Sequence, residues 1–244
     1  MIKRYLGDTE GVTLIELVVV VAIMGIVILA LVAPEIGRFR SNYDVRSCAT
    51  DLIQNMRVAR AMAIKENRQY LIVFQPAGTP DITVNPQGRY LIGFDFDGDN
   101  NLITFSTNNN GDTFGVCKDS DGDRLPDNDT EDANGDLVPD CVRVVNLSDC
   151  GIDIIFGYSS GTKPPIGPNS TVIPDSGINF SGTPPTAEFD PDGSTDKLGS
   201  VYFQQTARGY SYCVRISNLS GATNMWKWDG DKDNNDVSTW TEIR

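Results

Sequence analysis

The stretch GVTLIELVVVVAIMGIVILALVAPEIGRFR, residues 11–40, is almost unbroken hydrocarbon and carries one carboxylate, Glu16, near its start. Residues 12–33, taken as an α-helix at about 1.5 Å per residue, extend roughly 33 Å, enough to cross the hydrocarbon core of a bilayer. An ionised side chain in such a segment costs roughly 2.5–3.5 kcal/mol on insertion scales, so Glu16 calls for a cation. Ahead of the run, MIKRYLGDTEG carries Lys3 and Arg4. By the positive-inside tendency they hold that short end in the cytoplasm and put the bulk of the chain on the far side. Pro34, Glu35 and Ile36 follow the run and offer no small-residue cleavage site, so the apolar helix is expected to stay with the protein.

Gly11, Val12, Thr13, Leu14, Ile15 and Glu16 resemble the prepilin processing motif shared by type IV pilins and type II secretion pseudopilins. The resemblance implies a leader peptide of residues 1–11, removed after Gly11 by prepilin peptidase, and methylation of the new amine of Val12. It implies a transmembrane helix at 12–33 in the inner (cytoplasmic) membrane, single-pass, with the head in the periplasm until the subunit enters a pilus or pseudopilus. It also supplies the cation: in such families the acid matching Glu16 pairs with the amino terminus of a neighbouring subunit during assembly.

Beyond Pro34, residues 34–68 read as an amphipathic stalk helix. Val45, Cys48, Leu52, Met56, Ala59 and Ala63 recur every three or four residues, with Arg46, Asp51, Arg57, Arg60 and Lys65 among them. That stripe is read as core packing. Pro34 removes one helical hydrogen bond and Gly25 adds a second soft spot, so a bend or loosening is expected there.

From residue 69 to 244 the pattern changes to a β-rich globular head. YLIVFQP, RYLIGFDFD, NLITFST, CVRVVNL, DIIFGY, INFSG, SVYFQQ and YSYCVRIS are rich in β-branched and aromatic residues and are separated by Gly, Pro, Asn and Asp. SSGTKPPIGPNSTVIPDSG and SGTPPTAEFDPDGSTDKLG read as connectors. The expected fold is α+β and pilin-like: a long N-terminal helix packed on an antiparallel sheet or sandwich. Ala59, Arg60 and Ala63 in the helix, the turn at 189–193, and Arg215, Ser217 and Gly221 near the last strands resemble the GspH/FimT group of minor pilins and pseudopilins.

Charge and composition narrow the chemistry. Beyond residue 70, eleven Lys and Arg face twenty-six Asp and Glu, a net of −15. Such a surface repels phosphate backbones, so nucleic acid is a poor partner for the head. The chain has no histidine, which removes Ser/His/Asp and Cys/His catalysis and the commonest zinc ligand. No catalytic constellation emerges, and the chain is not expected to be an enzyme. Five cysteines, Cys48, Cys117, Cys141, Cys150 and Cys213, lie beyond the membrane segment, where disulfides form, and none makes a CxxC pair. Fifteen two-bridge pairings exist. One of them, Cys117 with Cys141 and Cys150 with Cys213, leaves Cys48, in its helical pattern, as the odd thiol.

Residues 117–141 form an acidic insertion with an internal repeat. Asp119, Asp121, Asp123 and Asp127 in DSDGDRLPD return thirteen residues later as Asp132, Asn134, Asp136 and Asp140 in DANGDLVPD. Oxygen ligands at alternate positions can turn toward one centre, and Ca²⁺ takes six to eight of them at about 2.3–2.6 Å. Gly122 at the fourth loop position and Thr130 at the twelfth exclude an EF-hand. The repeat is similar to the thrombospondin type 3 calcium repeat, which implies structural calcium in the head. Two weaker echoes, Asp95, Asp97 and Asp99, and Asp229, Asp231, Asp233 and Asp236, read equally as calcium ligands or as Asp/Gly/Asn turns. Trp226 and Trp228 read as packing residues, with a sugar- or base-stacking platform as the alternative.

The resulting expectation is a structural subunit, a minor pilin or pseudopilin, of a type II secretion pseudopilus or a type IV pilus. Its partners would be other pilins in the filament, the prepilin peptidase and the membrane. Two alternatives stay open: a calcium-dependent adhesin at a pilus tip, and a DNA-uptake minor pilin using a local patch of Arg208, Arg215, Lys227 and Arg244.

Overall fold

A computed structural model describes residues 13–78, 87–94, 143–158, 166–168, 172–207, 209–228 and 239–243, without the side chains of 29–39. Two compact units divide the chain, Met1–Arg40 and Ser41–Arg244. Helix α1, Leu14–Glu66, runs through Gly25 and Pro34 without a break in its assignment. Proline removes one backbone donor, but its fixed φ is itself helical, so the expected weakness at Pro34 does not end the helix. The helix stops where Asn67 turns left-handed at φ 53°, and the Arg68 N–H donates to the Ala63 carbonyl at 3.1 Å. That bond closes the last turn in the Schellman manner.

In the second unit the expected stripe is buried: Val45, Leu52, Met56, Ala59 and Ala63 are fully covered and Cys48 nearly so. It meets two antiparallel sheets. The first has the order β3-β2-β1-β5, built from β1 (Tyr70–Pro76), β2 (Gly88–Gly93), β3 (Arg143–Asn146) and β5 (Thr186–Phe189). The second has the order β4-β6-β7-β8-β9, from β4 (Ile154–Phe156), β6 (Gly199–Gln205), β7 (Tyr210–Ile216), β8 (Thr223–Trp228) and β9 (Trp240–Ile243). A one-turn helix, α2 (Leu147–Cys150), joins β3 to β4.

Alternation along each strand divides the head into layers. Tyr70, Ile72 and Phe74 of β1, Tyr90 and Ile92 of β2, and Val201, Phe203, Tyr212 and Val214 of β6 and β7 share one core with the helix stripe. Leu71, Val73 and Leu91 form a second cluster on the other face of the first sheet. Tyr202, Cys213, Trp228 and Trp240 form a third on the other face of the second. A buried polar knot fixes the helix against β2: the Tyr90 hydroxyl donates to Asp51 Oδ2 at 2.9 Å, and Asn55 Nδ2 donates to the same oxygen at 3.0 Å and to Tyr90 Oη at 2.8 Å. Burial first, then the Asp51 charge, pushes the Tyr90 phenol well above its usual range. The expected α+β arrangement is therefore present, with two sheets sharing one helix.

Among the described residues no helix is long and apolar enough to cross a membrane. The part of the apolar run whose side chains are described, 13–28, is shorter than the roughly 20 residues a crossing needs.

Candidate functional site

The first turn of α1 carries the candidate assembly residues. Gly11 and Val12 lie outside the described residues, and Thr13 precedes the helix. Thr13 Oγ1 accepts the Glu16 N–H at 3.3 Å, satisfying one of the donors that every helix start leaves open. Thr-x-x-Glu is the sequence of a capping box, a signal beyond the processing motif that marks where this helix begins. Glu16 sits in the first turn, where the helix dipole favours a negative charge. Every residue from 13 to 28 is exposed, its large hydrophobics from Leu14 at 81% to Val19 and Val20 at 48%. The result is a carboxylate on an apolar rod, with no ion pair to it among the described residues. Such a surface can associate with lipid or with other apolar helices, and the acid can select a cationic end.

A second constellation closes the far end of the helix. Arg60 Nε donates to the Gly193 carbonyl at 2.8 Å. Gly193 has φ +80°, a left-handed conformation that favours glycine, and a Cβ there would also press on the end of the Ile64 side chain at 2.7 Å. Gly221, at φ +73°, packs on the same turn: its Cβ would stand 3.0 Å from the Gly193 oxygen. The turn is tied by the Gly193 N–H to the Asp190 carbonyl at 2.8 Å, and Asp192 Oδ1 accepts from the Ser194 N–H and hydroxyl. The Ser194 hydroxyl, then its N–H, lowers the exposed Asp192 carboxyl. Arg60, Phe189, Gly193 and Gly221, grouped in the sequence by the GspH/FimT resemblance, thus meet in one place, while Ala59 and Ala63 lie on the buried stripe. Arg215 and Ser217 do not join them. Arg215 Nη1 reaches the Pro168 carbonyl at 3.4 Å, while the Ser217 hydroxyl bonds to Ala222 O and Asn224 Oδ1 at the β7–β8 hairpin.

The cysteine pairing needs correction. Cys48 is bonded to Cys150, with Cα atoms 5.4 Å apart, and among the described cysteines Cys213 is the free thiol. Cys48 lies on the buried stripe, within reach of the one-turn helix α2. Cys213 alternates to the opposite face of β7, between Tyr202 and Trp226, and so cannot meet Cys150 through the core. Burial pushes the Cys213 thiol up to about 12. Cys117 and Cys141 lie outside the described residues.

So do Asp119, Asp121, Asp123, Asp127, Asp132, Asn134, Asp136 and Asp140, and with them Asp95, Asp97, Asp99, Asp229, Asp231, Asp233 and Asp236. Among the described residues no cluster of three or more His, Cys, Asp or Glu is arranged to hold a metal. Trp228 is buried and Trp226 packs beside it against Tyr202 and Trp240, as packing residues should. Lys227 stands opposite Tyr212 and Arg215 opposite Asn224, hence on opposite faces of the second sheet, while Arg208 and Arg244 are not described.

Residues 8–32 match the family described as the prokaryotic N-terminal methylation motif. No curated protein and no solved structure matches the chain. The motif is that of type IV pilin and pseudopilin prepilin signals. It supports a membrane-anchored subunit processed by prepilin peptidase and assembled with other pilins, in a class that is structural rather than catalytic.

Proposed function

We propose that this chain is a structural filament subunit of the GspH/FimT kind, a minor pilin or pseudopilin, cut after Gly11 and methylated on Val12. The observation that carries this reading is Glu16 in the first turn of a helix whose apolar side chains, over 13–28, are all exposed. An apolar rod whose described side chains are all exposed is suited to lipid before assembly and to neighbouring helices afterwards. The carboxylate then selects the trimmed amino end of the next subunit, since a charge in an apolar medium is costly until it is paired. The convergence of Arg60, Gly193 and Gly221 favours the GspH/FimT group over pilins in general. Replacing Glu16 by Gln should abolish recovery of the chain in sheared filaments while leaving the processed protein in the membrane fraction. Normal recovery of that variant would overturn the reading.

The acidic insertion would hold structural calcium through the oxygens of Asp119, Asp121, Asp123, Asp127, Asp132, Asn134, Asp136 and Asp140. Nine acids against Arg124 alone from 119 to 140 repel one another, and bound cations would offset that repulsion. Chelation should lower the thermal midpoint of the full chain and expose this segment to protease, with calcium but not magnesium restoring both. An unchanged midpoint and cleavage pattern would remove calcium from the account. A DNA-uptake role has less support, because Arg215 and Lys227 lie on opposite sheet faces.

A further inference from the structure

The second unit carries an exposed surface that neither the apolar rod nor the buried stripe uses. On α1, away from the stripe, Arg57, Val58, Ala61, Ile64 and Lys65 are all exposed. At 3.6 residues per turn they share one side of the helix. That side mixes apolar and basic groups, and Arg57 and Lys65 make no ion pair among the described residues.

The Arg60 turn sets a second exposed surface beside the first. Gly193 faces the end of Ile64 and Gly221 packs on Gly193, so the 190–196 turn and the β7–β8 hairpin border the exposed helix side. The Thr195 N–H donates to the Leu219 carbonyl at 2.9 Å, and Gly199 pairs with Ile216, which puts Leu198 and Leu219 on adjoining segments. Asp192 and Asp196 are exposed on the same segments and make no ion pair among the described residues, whereas Lys197 is held by Glu188 at 2.6 Å. This second surface is apolar and acidic.

Val58, Ile64, Leu198 and Leu219 are between 40% and 59% exposed. One exposed hydrophobic needs no explanation, but four bordering a single turn form a patch, and such patches mark association surfaces. Charge decides the occupant. The two surfaces are alike in apolar content and opposite in sign, yet their exposed ions do not meet within one chain. A second copy presents the missing acidic surface to the basic helix side. Contact between two different surfaces of identical chains is heterologous, so it can repeat from copy to copy into an open-ended array.

We propose that the helix side formed by Arg57, Val58, Ile64 and Lys65 docks a second copy of this chain, through the surface of Asp192, Asp196, Leu198 and Leu219 on that copy. The contact rests on the filament reading for its supply of neighbours, but it is made by the heads and does not need Glu16.

The test uses the full-length protein in detergent micelles held in excess over protein, with isotope-labelled and unlabelled copies mixed. A benzophenone side chain placed at Ala61 of the labelled copy is photolysed, and mass spectrometry locates the capture site on the unlabelled one. Capture should fall within residues 192–198 or 217–221. Lys65→Glu in the labelled copy should lower the yield by at least about tenfold, because like charges then face each other. Asp196→Lys in the unlabelled copy should restore that yield to within about threefold, a rescue that a misfolded variant could not give. Glu16→Gln, which should abolish filaments, should leave capture unchanged, so the two readings fail separately. Capture elsewhere on the head or none between copies, failure of the charge swap to restore it, or its loss in Glu16→Gln would each overturn the docking surface.

Discussion

Two stretches of one helix differ in where their apolar side chains go. Over 13–28 every residue is exposed, none of the large hydrophobics below 48%. Over 45–63 the stripe of Val45, Leu52, Met56, Ala59 and Ala63 is fully covered by the two sheets. The difference is one of patterning. The first stretch is apolar on all sides, so no single packed face could bury it. The second alternates apolar and charged residues at helical spacing, and its own chain supplies the cover. One part of the helix has its hydrophobic stabilisation in hand. For the other, the proposed function assigns that role to a membrane or a second subunit.

The largest test of this contrast is covalent. Cys48 sits on the covered stripe and its bond to Cys150 spans a sequence separation of 102 residues. Joining residues so far apart removes much of the freedom of the unfolded chain, and losing a native bridge typically costs roughly 2–5 kcal/mol. Paired Cys48→Ser and Cys150→Ser substitutions should lower the unfolding free energy of the head, read from urea titration, by an amount in that range. They should leave the membrane partition of the chain unchanged, because the exposed stretch takes no part in the bridge. A fall in both would mean that the two stretches share their stability.

Much of this was legible in the sequence, for reasons particular residues explain. The stripe from Val45 to Ala63 repeats at the helical period, the apolar run is continuous over a length that reads as one helix, and the processing motif is a specific short match. β1 spans Tyr70–Pro76, the same residues as YLIVFQP. β5, β8 and β9 carry no such local signal. Thr186–Phe189 stands among Pro and Gly, where the sequence reads as connector, yet it pairs with β1 through Tyr70 opposite Phe189. In Thr223–Trp228 the lysine between two tryptophans drew attention to stacking, while the strand itself follows from pairing with β7. In both cases a neighbouring strand overrides weak local preference. The Cys48 to Cys150 bond was hidden for a similar reason, since bridge connectivity depends on which helix face meets which turn. In the sequence Arg60, Gly193 and Gly221 are linked only as points of resemblance to one family; that they meet follows from the left-handed backbone at both glycines and the Arg60 bond to the Gly193 carbonyl.

The sharpest form of the comparison pairs two truncations. Met56→Ala in the covered stretch should cost the head about 2–5 kcal/mol, because the side chain is fully buried and a cavity replaces it. Val20→Ala in the exposed stretch should change stability by no more than about 0.5 kcal/mol, since Val20 is 48% exposed and deleting its methyl groups opens no cavity within the described chain. Filament recovery should reverse that order at temperatures where both heads are folded. Val20→Ala removes surface that a neighbouring helix would cover, whereas Met56→Ala removes none. Comparing urea midpoints with sheared-filament yields for the two variants separates these effects. Equal losses of yield, or a stability loss at Val20 matching that at Met56, would show that the exposed stretch already has its cover inside the single chain.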